Sequence, residues 1–219
     1  MAKKVNVIKL KWEKDKDRNL RFWKAKLPTK AKSFNSKFNL PEYFRPMIGD
    51  KKEVSIVDLG CGVVSTTGSL WGGVRVHLYP CDIWADEYVE LYKYWKIKQV
   101  IPIEKQDMEN LTYKDESFDI VHCTNALDHC VDPFKALQEM YRVCRAGGWI
   151  YLRHHPNSGE KERYSMQHQW NIIKRDDDCL FWNYQDKFLL SDCIKGFNNV
   201  EKMEMPGEPV TIVSILHKI

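Results

Sequence analysis

The chain has no apolar run approaching the roughly 18–20 residues that cross a bilayer, so no membrane association is expected. It has no Cys-x-x-Cys pair. Its seven cysteines (61, 81, 123, 130, 144, 179 and 193) are an odd set, which argues against a disulfide framework and a zinc ribbon. Reduced thiols filling a core are the expectation. The stretch Met1–Leu10 lacks the apolar block of a secretory leader, and a cytoplasmic protein is expected. There is no internal repeat and no low-complexity tract. No histidine or acidic cluster along the chain has metal-ligand spacing, so no metal is expected, and the run Asp176–Asp178 reads as a solvated turn.

What is present suits one domain with a full core: 219 residues, 43% hydrophobic and 29% charged. The formal charge of +4 conceals a segregation. Residues 1–32 hold twelve Lys/Arg against Glu13, Asp15 and Asp17, a balance of +9, which leaves −5 for the remainder. Residues 1–50 therefore read as a basic extension, with a short helix carrying Leu20, Trp23 and Leu27 on one side. That extension is expected to pack near the active site of a domain spanning 51–219.

From Val54 onward strands alternate with helices. Strands are expected at Val54–Leu59, Val74–Tyr79, Gln99–Ile103, Phe118–His122 and Trp149–Arg153. A helix should start at Asp132-Pro133, where the carboxylate caps free N–H groups, and stop at Gly147-Gly148. Two strands flanking Pro206-Gly207 should close the chain as an antiparallel pair. The expected fold is α/β: a doubly wound, mostly parallel, Rossmann-like sheet of seven strands with a terminal antiparallel strand pair.

Ligands bind beyond the carboxyl ends of such strands. Those ends carry Asp58-Leu-Gly-Cys-Gly62, then Asp82, then Asp107-Met108, then Asn125-Ala-Leu-Asp-His129, then His154-His155. Gly60 and Gly62 let backbone approach a ligand where a Cβ would collide. Asp82, at the next strand end, is placed to accept hydrogen bonds from ribose hydroxyls. Ser65 stands where a dinucleotide fingerprint would place its third glycine, so a nucleoside cofactor without a pyrophosphate is indicated.

These residues resemble a known family. Val57-Asp-Leu-Gly-Cys-Gly62 is similar to motif I of the class I S-adenosylmethionine-dependent methyltransferases. Ser117–Val121, Leu127–Pro133 and Tyr141–Trp149 resemble a small, common subgroup of that family. The resemblance implies S-adenosylmethionine as cofactor. It implies that Asp58, Gly60, Cys61 and Gly62 surround its methionine part and ribose, and that Asp82 with Ile83 holds the ribose diol. Asp107 and Met108 would meet adenine, and Asn125 would lie under the methionine end. Val64 replaces a glycine usual in the family, so the segment 63–68 should follow a different path.

The acceptor is less constrained. A hydroxyl acceptor needs its proton removed, and histidine is the usual base near neutral pH. His154 is the first candidate, His168 the second, and Asp128 or His129 the third; His77 and His122 lie inside strand patterns and read as structural. The segment 153–170 is too polar for core and too long for a plain connection, so it reads as substrate-facing. No Asn/Asp-Pro-Pro-Tyr/Phe sequence follows the fourth strand, which disfavours amine methylation of DNA or glutamine. The expected acceptor is an oxygen of a small molecule or surface-glycan precursor, with an anionic substrate suiting the basic extension. Two alternatives stay open: an RNA methyltransferase using the basic arm, and a non-catalytic cofactor-binding subunit.

Overall fold

The computed structural model describes residues 16–29, 37–165, 167–194, 199–203 and 210–219. The Pro206-Gly207 turn expected from the sequence lies outside them.

The described chain begins with a helix over 16–29, α1, followed by a 3-10 turn at Glu42–Phe44 and a single helical turn at Arg45–Ile48, α2. The strands are β1 (Glu53–Leu59), β2 (Arg75–Asp82), β3 (Glu104–Lys105), β4 (Phe118–Thr124) and β5 (Cys144–His154). Helix α3 (Ala85–Trp95) links β2 to β3, and α4 (Pro133–Val143) links β4 to β5. A short helix α5 (Ser158–Lys161) leads to β6 (Asn171–Arg175), β7 (Asp178–Trp182) and β8 (Lys187–Leu189). Helix α6 (Leu190–Cys193), β9 (Asn199–Met203) and β10 (Thr211–His217) complete the order.

The main sheet runs β3-β2-β1-β4-β5-β10-β9, parallel as far as β5 and antiparallel through β10 and β9. This is the expected doubly wound sheet of seven strands. Successive residues of β1 feed opposite faces. Val57 and Leu59 pack with Leu137, Met140 and Val143 of α4, whereas Val54 and Ile56 pack with Phe44, Met47 and Ile48. A third cluster joins Leu27 of α1 to Trp84, Tyr88 and Leu91 around α3.

The structure corrects three local readings. The third strand is not Gln99–Ile103 but the two residues Glu104–Lys105, because Pro102 has no N–H to give a ladder. Helix α4 starts as expected, with Asp132 accepting the N–H of Lys135 at 3.1 Å, but it ends at Val143. Gly147, at φ +69°, falls inside β5 rather than at the helix stop. The separate antiparallel sheet β6-β7-β8 was not foreseen. Its first hairpin turns at Asp176, whose φ of +54° suits a two-residue turn, so Asp176 and Asp177 of the acidic run form the exposed turn while Asp178 opens β7.

Candidate active site

The carboxyl ends of β1, β2 and β4 open into a cavity of about 430 Å³, within the range of small-molecule sites. Its wall includes Gly60, Cys61, Gly62, Asp82, Ile83, Asp107, Met108, Asn125 and His129, all singled out from sequence. Four other candidates, Asp58, Asp128, His154 and His168, do not line it.

The loop after β1 holds Gly60 and Gly62 at φ +66° and +67°, a region that side chains rarely adopt. A Cβ on Gly60 would stand 2.5 Å from the Cβ of Ala126 and 2.9 Å from Cε of Met108. One on Gly62 would approach the Trp23 ring to 3.3 Å. Asp82 fixes this loop: one carboxylate oxygen accepts the N–H of Gly62 at 2.9 Å, and the other accepts from the Trp84 N–H and the Tyr88 hydroxyl. Burial raises the Asp82 pKa against the pull of those donors. Burial, with Asp58 and Asp82 nearby, also pushes the Cys61 thiol well up, which keeps it protonated and inert.

Asp58 lies beneath this loop. Its carboxylate is bonded to Nδ1 of His122 at 2.8 Å and accepts from the Ser65 hydroxyl at 2.5 Å. His122 in turn shares a 3.0 Å hydrogen bond with the Tyr43 hydroxyl and is 1% exposed, a structural role. His77 is half-buried on β2, with Nε2 2.6 Å from Oε1 of Glu53.

Beyond β2, Asp107 accepts the N–H of Glu109 at 2.9 Å. Glu109 receives the N–H groups of Val131 and Asp132 at 2.6 and 3.1 Å, and burial lifts its carboxyl to about 7. Asn125 sits at φ +50°, an uncommon conformation held from both sides: its N–H reaches Arg153 O, and its side chain accepts from the His155 N–H.

The next turn, Leu127–His129, meets the segment after Met166. Nδ1 of His168 lies 2.6 Å from Oδ2 of Asp128 and 3.3 Å from Nε2 of His129. Burial alone would raise the Asp128 carboxyl, but His129 and His168 hold it at about 2. His168 balances oppositely: burial lowers it, and Asp128 more than offsets that. His154 is 3% exposed, and burial drives it down to about 4.

Sequence reasoning placed the basic extension near the site but singled out none of its residues as lining it. Asn19 and Trp23 of α1 line the cavity, and Asn19 donates to Oε1 of Gln167 at 3.0 Å. Aromatic residues interleaved with the basic arm were the available signal. Glu109 and Tyr88 also line it and carried no motif. A broader cleft of about 740 Å³ opens at the amino ends of β1 and β4, where Lys51 and Arg145 are both paired with Asp119. It lies at the wrong end of the strands for a sheet of this kind.

Residues 57–152 match the family model described as a methyltransferase domain. The chain is 26% identical to the ubiquinone biosynthesis O-methyltransferase of Nitrosomonas europaea, over 50% of this chain and 47% of that one. It is 28% identical to norajmaline N-methyltransferase of Rauvolfia serpentina, over 47% and 36% respectively. The chain thus spans less than half the length of these relatives. Its fold is similar to that of a SAM-dependent methyltransferase from Methanosarcina mazei, with a TM-score of 0.51 at 16% identity, covering 83% of this chain and 99% of that one. No helix among the described residues is long and apolar enough to cross a membrane.

Proposed function

Residues 57–152 are a class I S-adenosylmethionine-dependent methyltransferase domain, and from that premise we propose that the chain methylates an oxygen of a small molecule or surface-glycan precursor, with histidine taking the acceptor's proton. The cavity suits the cofactor in size, its glycine cradle admits no Cβ at Gly60, and a carboxylate stands at the end of β2. Gly60, Cys61, Gly62 and Asn125 would hold the methionine part, Asp82 and Ile83 the ribose, and Asp107 with Met108 the adenine. Asp58 would act from beneath by fixing the loop. S-adenosylmethionine, when bound, supplies an electrophilic methyl group on sulfur.

The chain's own contribution is to position the acceptor and remove its proton. The observation that carries this reading is the contact of Asp128 and His168 with His129, which lines the cavity. Asp128 orients His168, and His129 presents the pair to the cavity. His154 lies outside the wall and, with a pKa near 4, is a weak proton acceptor, so its role is read as supporting. Polar groups on α1 and at Gln167 would recognise the acceptor.

A thermal-shift titration with S-adenosylmethionine and its demethylated product, on wild type and Asp82→Ala, tests the cofactor site. Stabilisation of wild type and its loss in the variant are expected; no stabilisation by either ligand would overturn the reading. Cell extract incubated with labelled methyl donor then assigns the acceptor. Label in small molecules or polysaccharide is the expected result, whereas label in RNA would favour the basic-arm alternative.

A further inference from the structure

The sequence offers no spaced metal-ligand motif, yet the fold draws three ligand atoms from two distant segments to one point. Oδ2 of Asp128, Nε2 of His129 and Nδ1 of His168 all lie within 4.8 Å of one another. The sides of their triangle are 2.6, 3.3 and 3.6 Å. We propose that Asp128, His129 and His168 form a binding site for a first-row divalent transition-metal ion of the zinc type, open toward the cavity.

The dimensions fit. Ligand atoms at about 2.0–2.1 Å from a tetrahedral ion are roughly 3.3 Å apart, and the three observed sides bracket that figure. Two imidazoles and one carboxylate, with coordination positions left over, form the donor set of ligand-accepting zinc and iron centres. A magnesium ion, which prefers oxygen donors, would not be selected.

Protons alone satisfy the cluster poorly. One N–H on Nδ1 of His168 must serve both Oδ2 of Asp128 and Nε2 of His129, while His129 and Asp128 are too far apart, at 3.6 Å, for a hydrogen bond of their own. A cation at the centre would satisfy all three lone pairs together. His154 adds a second, independent observation. Its imidazole is 3% exposed, neither ring nitrogen has a hydrogen-bond partner among the described residues, and it feels the charge of Asp128 and His129. Buried polar atoms of this sort call for a partner, which the hydration shell of a bound ion would provide.

The site is also braced. The carbonyl of Asp128 accepts the N–H groups of Gln169 and Trp170 at 2.8 and 3.2 Å, which docks the segment bearing His168 onto the turn bearing the other two ligands. Asp128 is buried, and the side chains of His129 and His168 are 30% and 29% exposed, so the open side faces accessible space. Where the methyltransferase reading holds, and this role rests on it, the ion would take over from the histidines as the activating group: it would bind the acceptor oxygen and lower its pKa, and the proton would pass to solvent water.

The test uses the full chain without an affinity tag, stripped with chelator and titrated with zinc chloride by calorimetry and with cobalt(II) by visible absorption. One equivalent is expected, with a tetrahedral or five-coordinate cobalt spectrum. His129→Ala and His168→Ala should each weaken binding by more than the roughly 10–100-fold that losing a supporting hydrogen bond costs. His129, partly exposed, is the variant least able to disturb folding, and circular dichroism checks both. No zinc binding by wild type, unchanged affinity in both folded variants, or thiolate charge-transfer bands from the cysteines would overturn the site. Thermal shift by S-adenosylmethionine is measured in parallel in chelator. Stabilisation without zinc binding removes the metal site alone, whereas zinc binding without stabilisation removes the methyltransferase reading alone.

Discussion

Asp128 and His168, forty residues apart, are joined through both side chain and backbone: the carboxylate lies 2.6 Å from the imidazole, and the Asp128 carbonyl receives the N–H groups of Gln169 and Trp170. The turn after β4 and the long excursion after β5 therefore behave as one unit. A change in either partner acts on the other without touching the glycine loop.

His168→Ala should lower methyl transfer roughly 10²–10⁴-fold, the range a positioned acid–base group contributes. S-adenosylmethionine should still raise Tm in this variant, since the cofactor wall keeps its residues. Single-turnover transfer and thermal shift check the two halves; wild-type turnover would remove the assigned role.

Gly60→Ala places a Cβ at a left-handed backbone position and against Ala126 at 2.5 Å. Left-handed geometry costs about 1–2 kcal/mol and overpacking about 1–3 kcal/mol. A loss of at least about 2 kcal/mol lowers Tm by roughly 4–8 °C in a chain of this size. Calorimetry should show that drop together with loss of stabilisation by the cofactor.

Trp23→Ala removes an indole that packs over the glycine loop from α1. Losing burial worth roughly 1.5–3 kcal/mol corresponds to about 10–150-fold in Kd. Isothermal titration with S-adenosylmethionine measures this, and an unchanged Kd would show that α1 forms no part of the cofactor wall.

Two buried groups should give opposite pH slopes in stability. His154 titrates near 4 in the fold against 6.5 when exposed, so the unfolded chain binds more protons in that window and stability falls as pH drops from 6.5 toward 4. Glu109 titrates near 7 against 4.5, so the folded state holds the extra proton and stability falls as pH rises from 4.5 toward 7. The windows overlap between pH 4.5 and 6.5, where the two slopes oppose, so urea midpoints should fall more steeply with rising pH than in wild type for His154→Asn and rise more steeply with pH than in wild type for Glu109→Gln. Profiles parallel to wild type would show that these groups do not carry the slopes.

Features encoded locally were legible in the sequence. The strand-end residues Gly60, Gly62, Asp82, Asp107 and Asn125 all reach the cavity because position along an α/β chain dictates it. Boundaries set by backbone donors or register were less so: Pro102 displaced a strand, and Gly147 serves β5 rather than ending α4. The approach of His168 to Asp128 and His129 was beyond reach, because it depends on tertiary docking of the 167–170 segment. His154 looked best placed by sequence, yet a strand end can turn its side chain into the protein as readily as toward a ligand.

The cavity has two owners. Its floor belongs to residues 57–152, the stretch that matches the methyltransferase-domain model, while Asn19, Trp23 and Gln167 in the rest of the wall lie outside that stretch. The cavity is thus assembled from separable pieces of chain, one inside the matched stretch and one outside it. A lineage could keep one and redraft the other, and grafting a foreign α1 and 155–170 segment onto this floor is the engineering counterpart of that freedom.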